Sequence, residues 1–503
     1  MSSMDAGLGG ACTAPRKGLV LGCLCVGLFM AMLDNLVVTT ALPAIGRGLN
    51  AGTAGLQWVV ETYSLVYASL LLTGGTLGDR WGRRRVYLLA LALFTAGSAG
   101  CALAGSLPAL VAGRACQAVG AALLTPGTLS ILRHVFTGER ERAQAIGVWS
   151  GVSGAGLTLG PAVGGPLVDH FGWAAAFWIN VPIGVGGLLF AVRVLPVLPR
   201  TPVRMDPAGQ ATVVMGLAAL VYVLVEGPVR GWGDPLVLGA TAGAVVLLTV
   251  FVVLELRVAE PMVDVRLLAG RTAGVPAFAG FAVSFGFFGL GVFLSMYLQY
   301  VLGWSPTAAG LAMLPATAFT GAAAVVAGRI CGRVGSRLPL AAGLVLVAVG
   351  LAGFTRYGTG ARFVEFGWLL PVIGTGLGLT FTPISVAVLG AVPAARAGMA
   401  SATVNMVREV GGVAGVAVLG AVLTSRFTAS VHVALPPSQA AAVSHAVTSG
   451  AALATAPGPV RAVTDRAFMT GMHAAMWTGA ALLAATAALV LSTMRGGRDG
   501  AAG

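Results

Sequence analysis

Gly75-Thr-Leu-Gly-Asp-Arg-Trp-Gly-Arg-Arg-Arg85 is a run of glycine and positive charge between two long apolar segments. It has a second copy. Gly328-Arg-Ile-Cys-Gly-Arg-Val-Gly-Ser-Arg337 repeats it at an offset of 253 residues, with Gly75, Arg80, Gly82 and Arg84 falling on Gly328, Arg333, Gly335 and Arg337. Asp79 falls on Gly332, so the second copy has lost its acid. Thr125-Pro126 and Thr382-Pro383 are a further echo. Chance likeness of two Gly/Arg-rich loops is the competing explanation. It does not account for the loops occupying equivalent places between apolar segments. Repeated halves around a midplane site are an architecture of secondary transporters.

The surrounding composition sets the class. Of 503 residues, 57% are hydrophobic and 9% charged, with a mean hydropathy of +0.90. Soluble domains carry about 25% charged residues, which excludes a soluble enzyme, a disordered chain or a nucleic-acid-binding module. About 20 mainly apolar residues cross a bilayer as a helix, the form that satisfies every backbone group in lipid. Fourteen such segments lie near 18–42, 55–77, 86–105, 108–131, 143–167, 174–195, 208–227, 235–256, 273–302, 306–328, 338–356, 366–391, 398–424 and 469–493. With the N-terminus in the cytoplasm, 21 of the 30 basic residues fall on the inner side and 7 on the outer side. That asymmetry is the topology signal of membrane helices, and an even span count puts both termini inside. The expected layout is a cytoplasmic tail (1–17), a six-helix bundle (18–195), a linker with two additional spans (196–272), a second six-helix bundle (273–493) and a cytoplasmic tail (494–503). Its external loop, 425–468, is rich in Ala, Ser and Pro and is expected to be at best partly ordered. The six cysteines show no metal spacing, and no metal is expected.

Charges inside a bilayer are costly and mark function by default. Asp34, Glu61 and Arg114 lie at similar depth, about 9–12 Å below the outer surface by helical rise, and are expected to form one cluster. A fixed structural ion pair is the bland alternative. Glu409 follows Arg408 near the middle of the thirteenth segment. Adjacent helical residues point about 100° apart, so the two do not simply pair, and Glu409 is a candidate acid of the second half. In the first loop, Gly75, Gly78 and Gly82 permit close approach, and Asp79 can pair with Arg80, Arg83 or Arg84 as a breakable conformational lock. Positive-inside anchoring explains the arginines but not Asp79. Gly156, Gly160, Pro161, Gly164 and Gly165 suit a closely packed, bending helix between two halves. Trp58, Tyr63, Tyr67, Phe285, Phe287, Phe288, Phe293, Tyr297, Gln299, Tyr300, Asn405 and Met406 are possible cavity-lining residues. Glu226 and Glu255 sit near segment ends and are expected to be solvated.

Together these segments resemble the major facilitator superfamily, in its fourteen-span drug:proton antiporter branch. Gly75 to Arg85 matches the superfamily's loop signature. Arg114-Ala-Cys-Gln117 matches the fourth-span motif associated with proton coupling, with Ala118 in place of the usual Gly. Gly156 to Gly165 matches the antiporter motif of span five, and Leu33-Asp34 through Pro43 the first-span motif of the branch. Phe177 to Pro182 resembles the entry to span six. The resemblance covers about 18–495. It implies two six-helix halves plus two extra helices, with proton and substrate coupling at Asp34, Glu61, Arg114 and Glu409. It implies a bacterial inner-membrane, proton-coupled exporter of small amphipathic organic compounds, which can be cationic. Such an exporter is expected to be monomeric and lipid-embedded, with no cofactor beyond the proton gradient, no nucleic-acid partner and no enzymatic activity. A dedicated exporter of one endogenous metabolite and a non-transporting sensor are the alternatives.

Overall fold

The computed structural model describes residues 14–198, 206–258, 266, 268, 270–391, 397–449 and 458–494. Among these the chain is helical, without a strand. The first group of helices is α1 (Ala14–Leu49), α2 (Thr53–Trp81), α3 (Arg83–Ala102), α4 (Leu107–Val135), α5 (Glu139–Phe171), the short α6 (Ala175–Trp178) and α7 (Asn180–Val194). A pair follows, α8 (Pro207–Arg230) and α9 (Pro235–Arg257). The second group is α10 (Arg271–Met296), α11 (Pro306–Val334), α12 (Arg337–Phe354), the short α13 (Phe363–Phe366), α14 (Leu369–Gly390), α15 (Ala397–Ala434), α16 (Pro437–Ser449) and α17 (Gly458–Thr493).

The starts of several helices are written in the sequence. Ser106, Asp206, Asp234 and Ser305 each cap a helix with a side-chain oxygen, and each is followed within two residues by proline. Proline at the first turn has no amide hydrogen to leave unpaired, and its fixed φ suits the helix. The loop glycines do the opposite work. Gly82 and its repeat partner Gly335 have φ of 102° and 77°, a region side-chain-bearing residues rarely adopt, and turn the chain between consecutive helices.

The internal repeat is physical. Arg84 donates to the Val192 carbonyl at 2.6 Å, and its counterpart Arg337 donates to the Leu491 carbonyl. Each arginine thus ties the start of the third rod of its half to the end of the last. Within the first group α1 packs on α5, α2 on α4 and α3 on α7; within the second α10 packs on α15, α11 on α14 and α12 on α17. Between groups the pairing is reciprocal: α5 lies on α11, α2 on α15, and α1 on α10. That is the arrangement a two-fold relation between repeats requires. The added helix α8 packs on both α2 and α15, while α9, with mean hydropathy 2.6, leaves most of its surface exposed, as a lipid-facing helix does.

Twelve helical rods among the described residues are long and apolar enough to cross a membrane. The chain is a multi-pass membrane protein. Of the fourteen expected segments, the two outside these twelve correspond to α2 and α5. These helices have 29 and 33 residues but dilute their apolar stretches with Gln57, Glu61 and Thr62 or with glycine and serine. Within the loop expected at 425–468, the described residues are more ordered than their composition suggests. Helix α15 continues to Ala434, α16 follows at Pro437, and Ala440 is buried.

Candidate functional site

Asp34 is completely buried and Arg114 is 2% exposed, so neither charge is shielded by water. They find each other instead. Arg114 donates to Asp34 Oδ2 at 2.7 Å, and the other oxygen, Oδ1, accepts from Gln117 Nε2 and from Asn180 Nδ2, both at 2.7 Å. Arg114 also donates through Nε to the Val59 carbonyl at 3.1 Å and to Gln117 Oε1 at 2.8 Å. Gln117 completes the set with a bond to Ser98 at 2.8 Å. Five helices meet in this network: α1 through Asp34, α2 through Val59, α3 through Ser98, α4 through Arg114 and Gln117, and α7 through Asn180. A buried ion pair is tolerable when its remaining hydrogen-bonding capacity is filled, as here.

Arg114 does a second thing. Its guanidinium lies over the Tyr63 ring, 4.1 Å from the centroid, and Tyr63 stacks on Tyr67 with centroids 6.0 Å apart and planes 7° from parallel. Tyr67 donates to Thr125 at 3.3 Å and lies within electrostatic reach of Arg408 and Glu409 on α15. A line of charged and aromatic groups thus runs from the buried pair in the first bundle to α15 in the second.

Glu61 does not join the cluster expected of it. Both carboxylate oxygens are buried without a hydrogen-bond partner among the described residues, and Arg114 belongs to Asp34 instead. The helical phase explains the split. Val59 and Tyr63 face Arg114, whereas Gln57, four residues before Glu61, donates to the Val416 carbonyl on α15. Glu61 shares that side of α2. A buried carboxylate in such a place is costly unless a proton, a cation or a donor reaches it.

The glycines of α5 sit at close helix contacts. A Cβ at Gly156 would come within 2.9 Å of Met32, and one at Gly160 within 2.8 Å of Leu36 Cβ. At Gly164 it would meet Val37 at 3.0 Å. This stripe lets α5 lie directly against the stretch of α1 that carries Asp34. Gly165 turns the other way, its missing Cβ 2.6 Å from the Pro306 carbonyl, and Gly310 backs onto the Pro161 carbonyl. Helix α5 runs unbroken through Pro161 and Pro166.

Other expectations are corrected. Trp58 donates to Glu226 at 3.1 Å and tilts against Tyr222 on α8. Glu226 is accordingly engaged, by Trp58 and by Arg230 at 3.1 Å, and Glu255 is buried; neither is simply solvated. Gln299 and Tyr300 donate to the carbonyls of Thr40 and Pro43, joining the two bundles, and Tyr297 packs on Phe366. Met406 belongs to an apolar cluster with Leu65 and Val213. The segment expected as the first loop is helical on either side of Gly82, as the end of α2 and the start of α3; there Arg83 bonds His134 and Arg80 is exposed, while the side chain of Asp79 and residue Gly75 lie outside the described side chains. Asn180 escaped the expected set, and Gln117 entered it only as the end of the Arg114 motif, without a role of its own. An amide three residues from a buried arginine on one helix face, and an asparagine in an apolar span, are the signals that point to them.

The bundles join at one end. Taking the end farthest from both chain termini as distal, every hydrogen bond between described residues of the two bundles lies toward it. These are Gln57 to Val416, Ser295 to Thr39, Gln299 to Thr40, Tyr300 to Pro43, and Thr307 to Asp169 at 2.9 Å. Two repeated helical bundles, with a buried ion pair inside the first, have the build of a membrane transporter of the secondary type.

The family model of the Major Facilitator Superfamily matches residues 24–416, and the chain belongs to that family. It is 37% identical over 410 residues to the multidrug resistance protein Stp of Mycobacterium tuberculosis, covering 81% of this chain and 76% of that one. It is 33% identical to the tetracenomycin C resistance and export protein of Streptomyces glaucescens, covering 97% and 95%. In fold it is similar to a bacterial homolog of the human lysosomal transporter Spinster in an inward-facing, occupied conformation. The TM-score is 0.71 at 17% identity, with coverage of 96% and 97%.

Proposed function

We propose that this chain is a proton-coupled antiporter that exports amphipathic organic compounds, drugs or antibiotics, across the bacterial inner membrane by alternating access. The observation that carries the reading is the Asp34–Arg114 pair, buried among five helices and linked through stacked tyrosines to the opposite bundle. A carboxylate held this way can exchange a proton only when the helices around it move, which is what coupling requires. Glu61 and Glu409 are the further proton- or substrate-binding acids. The likeness to the multidrug resistance protein Stp and to the tetracenomycin C resistance and export protein supports this direction of transport. The protein acts as a transporter and not an enzyme, draws on the proton gradient without a bound cofactor, and works as a lipid-embedded monomer.

Fourteen spans give this layout, with α2 and α5 added to the twelve and the segment 196–272 carrying the extra pair. Bundles at 18–195 and 273–493 and both termini in the cytoplasm complete it. The distal end is then external, and the segment 75–85, with Asp79, Gly78, Arg80, Gly82, Arg83 and Arg84, is a cytoplasmic lock. The orientation predicts that on a cysteine-free background Arg85→Cys, an exposed position, is labelled by a membrane-impermeant maleimide only after the cells are opened. Labelling in intact cells would reverse the topology.

The transport reading is tested in proteoliposomes. Under an imposed pH gradient, purified protein should move compounds from a panel of cationic, neutral and anionic aromatic drugs uphill, and collapse of the gradient should stop it. Passage of none of them, or uphill movement that ignores the gradient, refutes it.

A further inference from the structure

Arg408 is a charge without an ion pair among the described residues. Its side chain leaves α15, crosses Gly280 of α10 and lays its guanidinium over the Phe381 ring of α14, 4.2 Å from the centroid. Gly280 makes the path: a Cβ there would stand 2.9 Å from Arg408 Cγ. No carboxylate among the described residues lies within ion-pairing distance. NH1 reaches Asn405 Oδ1 at 3.5 Å, the outer limit of a hydrogen bond, and the buried Nε has no partner. Glu409 is the next residue, but adjacent positions on a helix diverge by about 100° and the two form no bond. Arg114, in the first bundle, has an aspartate, an amide and a carbonyl around it. Arg408 has an aromatic platform and open donors.

A guanidinium held on a ring keeps its planar fork free for a carboxylate or another anionic oxygen, and in a partly desolvated site an unpaired cation favours an anion strongly. A cationic group at the same spot is repelled. The neighbours are Phe381 beneath, Tyr67, stacked on Tyr63, within electrostatic reach, and Glu409, whose charge reaches Arg408 without a bond.

We propose that Arg408 and Phe381 form the substrate-recognition site for a planar aromatic compound bearing an anionic oxygen. Arg408 holds the anion, and the aromatic side chains hold the ring. The proposal rests on the exporter reading and refines the charge of its substrate.

The test uses the purified full-length chain and two fluorescent probes of one skeleton, 9-anthracenecarboxylate and its methyl ester. Wild type should bind the carboxylate more tightly than the ester. Arg408→Gln should weaken the carboxylate by about tenfold or more, the loss expected for a charged hydrogen bond, and the ester far less, so that the preference disappears. Ester binding reports the fold of the variant. If Arg408→Gln binds neither probe, Arg408→Lys decides: a diminished carboxylate preference supports the site, and an unchanged one overturns it. A wild type without carboxylate preference, or an Arg408→Gln that keeps it, also overturns it. Those results leave export itself standing, because uphill efflux of the drug panel tests that separately.

Discussion

Asp34→Asn should abolish uphill, proton-driven efflux, and it should also loosen the fold. The side chain keeps its size but loses the charge that three donors converge on. Arg114, Gln117 and Asn180 all point hydrogens at the two oxygens of Asp34. An asparagine offers one acceptor oxygen and must turn its own amide hydrogens toward one of these donors. Arg114 then stays buried without a counter-charge, at a cost of about 3–5 kcal/mol. The remedy separates the two effects. Adding Arg114→Gln removes the stranded charge and should return most of the lost stability, measured by thermal unfolding in detergent. It should not return efflux, because no titrating group remains at the site. Asp34→Asn protein that still concentrates a substrate against its gradient under a pH difference would take the coupling role away from Asp34. Glu61→Gln and Glu409→Gln in the same assay would then show which acid holds it.

Much of this arrangement is legible in the sequence because it rests on periodicities and on rare residues. Apolar length gives the rods, the offset between Gly75–Arg85 and Gly328–Arg337 gives the repeat, and the i, i+4, i+8 glycines of α5 give its close contact with α1. Asp34 and Arg114 are conspicuous as charges in apolar helices, and they do pair. What depth alone cannot give is the direction each helix faces. Glu61 lies at the same level as Arg114 yet shares the face of Gln57 toward α15, so matching depth suggested a cluster that the helix phase divides. Trp58 and Glu226 meet only because α8 docks on α2, a contact between segments far apart in sequence. The order of 425–449 was hidden for a different reason. A polar, alanine-rich composition reads as a loop, while alanine is also the best helix former, and extension of α15 already started in the membrane needs no new nucleation.

Gly165→Leu should trap the transporter away from the conformation described here. Gly165 faces α11 with its absent Cβ 2.6 Å from both the Pro306 carbonyl and Thr307 Cα, and Thr307 bonds Asp169 one turn further on. These are backbone atoms, which cannot swing aside as the end of a side chain can. Any residue larger than glycine must push α5 and α11 apart, and with them the distal ends of the two bundles. Overpacking of this kind costs about 1–3 kcal/mol, which amounts to a population shift of roughly 5- to 150-fold against the distally closed state. The bundles themselves should stay folded, because Gly165 packs between them and not within either. Spin labels at His170 and Leu311, both exposed, should report a short distance in an otherwise wild-type protein and a longer one after Gly165→Leu. Uphill efflux should fall by a comparable factor, since a cycle needs both closures. A neighbouring substitution provides the contrast. Gly164→Ala presses on Val37 of α1 within the first bundle, at 3.0 Å, and should lower thermal stability without lengthening the label distance. If Gly165→Leu left the distance unchanged while the protein remained folded, the α5–α11 contact would not be a gate, and the closure would have to reside in the bonds of Ser295, Gln299 and Tyr300 to α1.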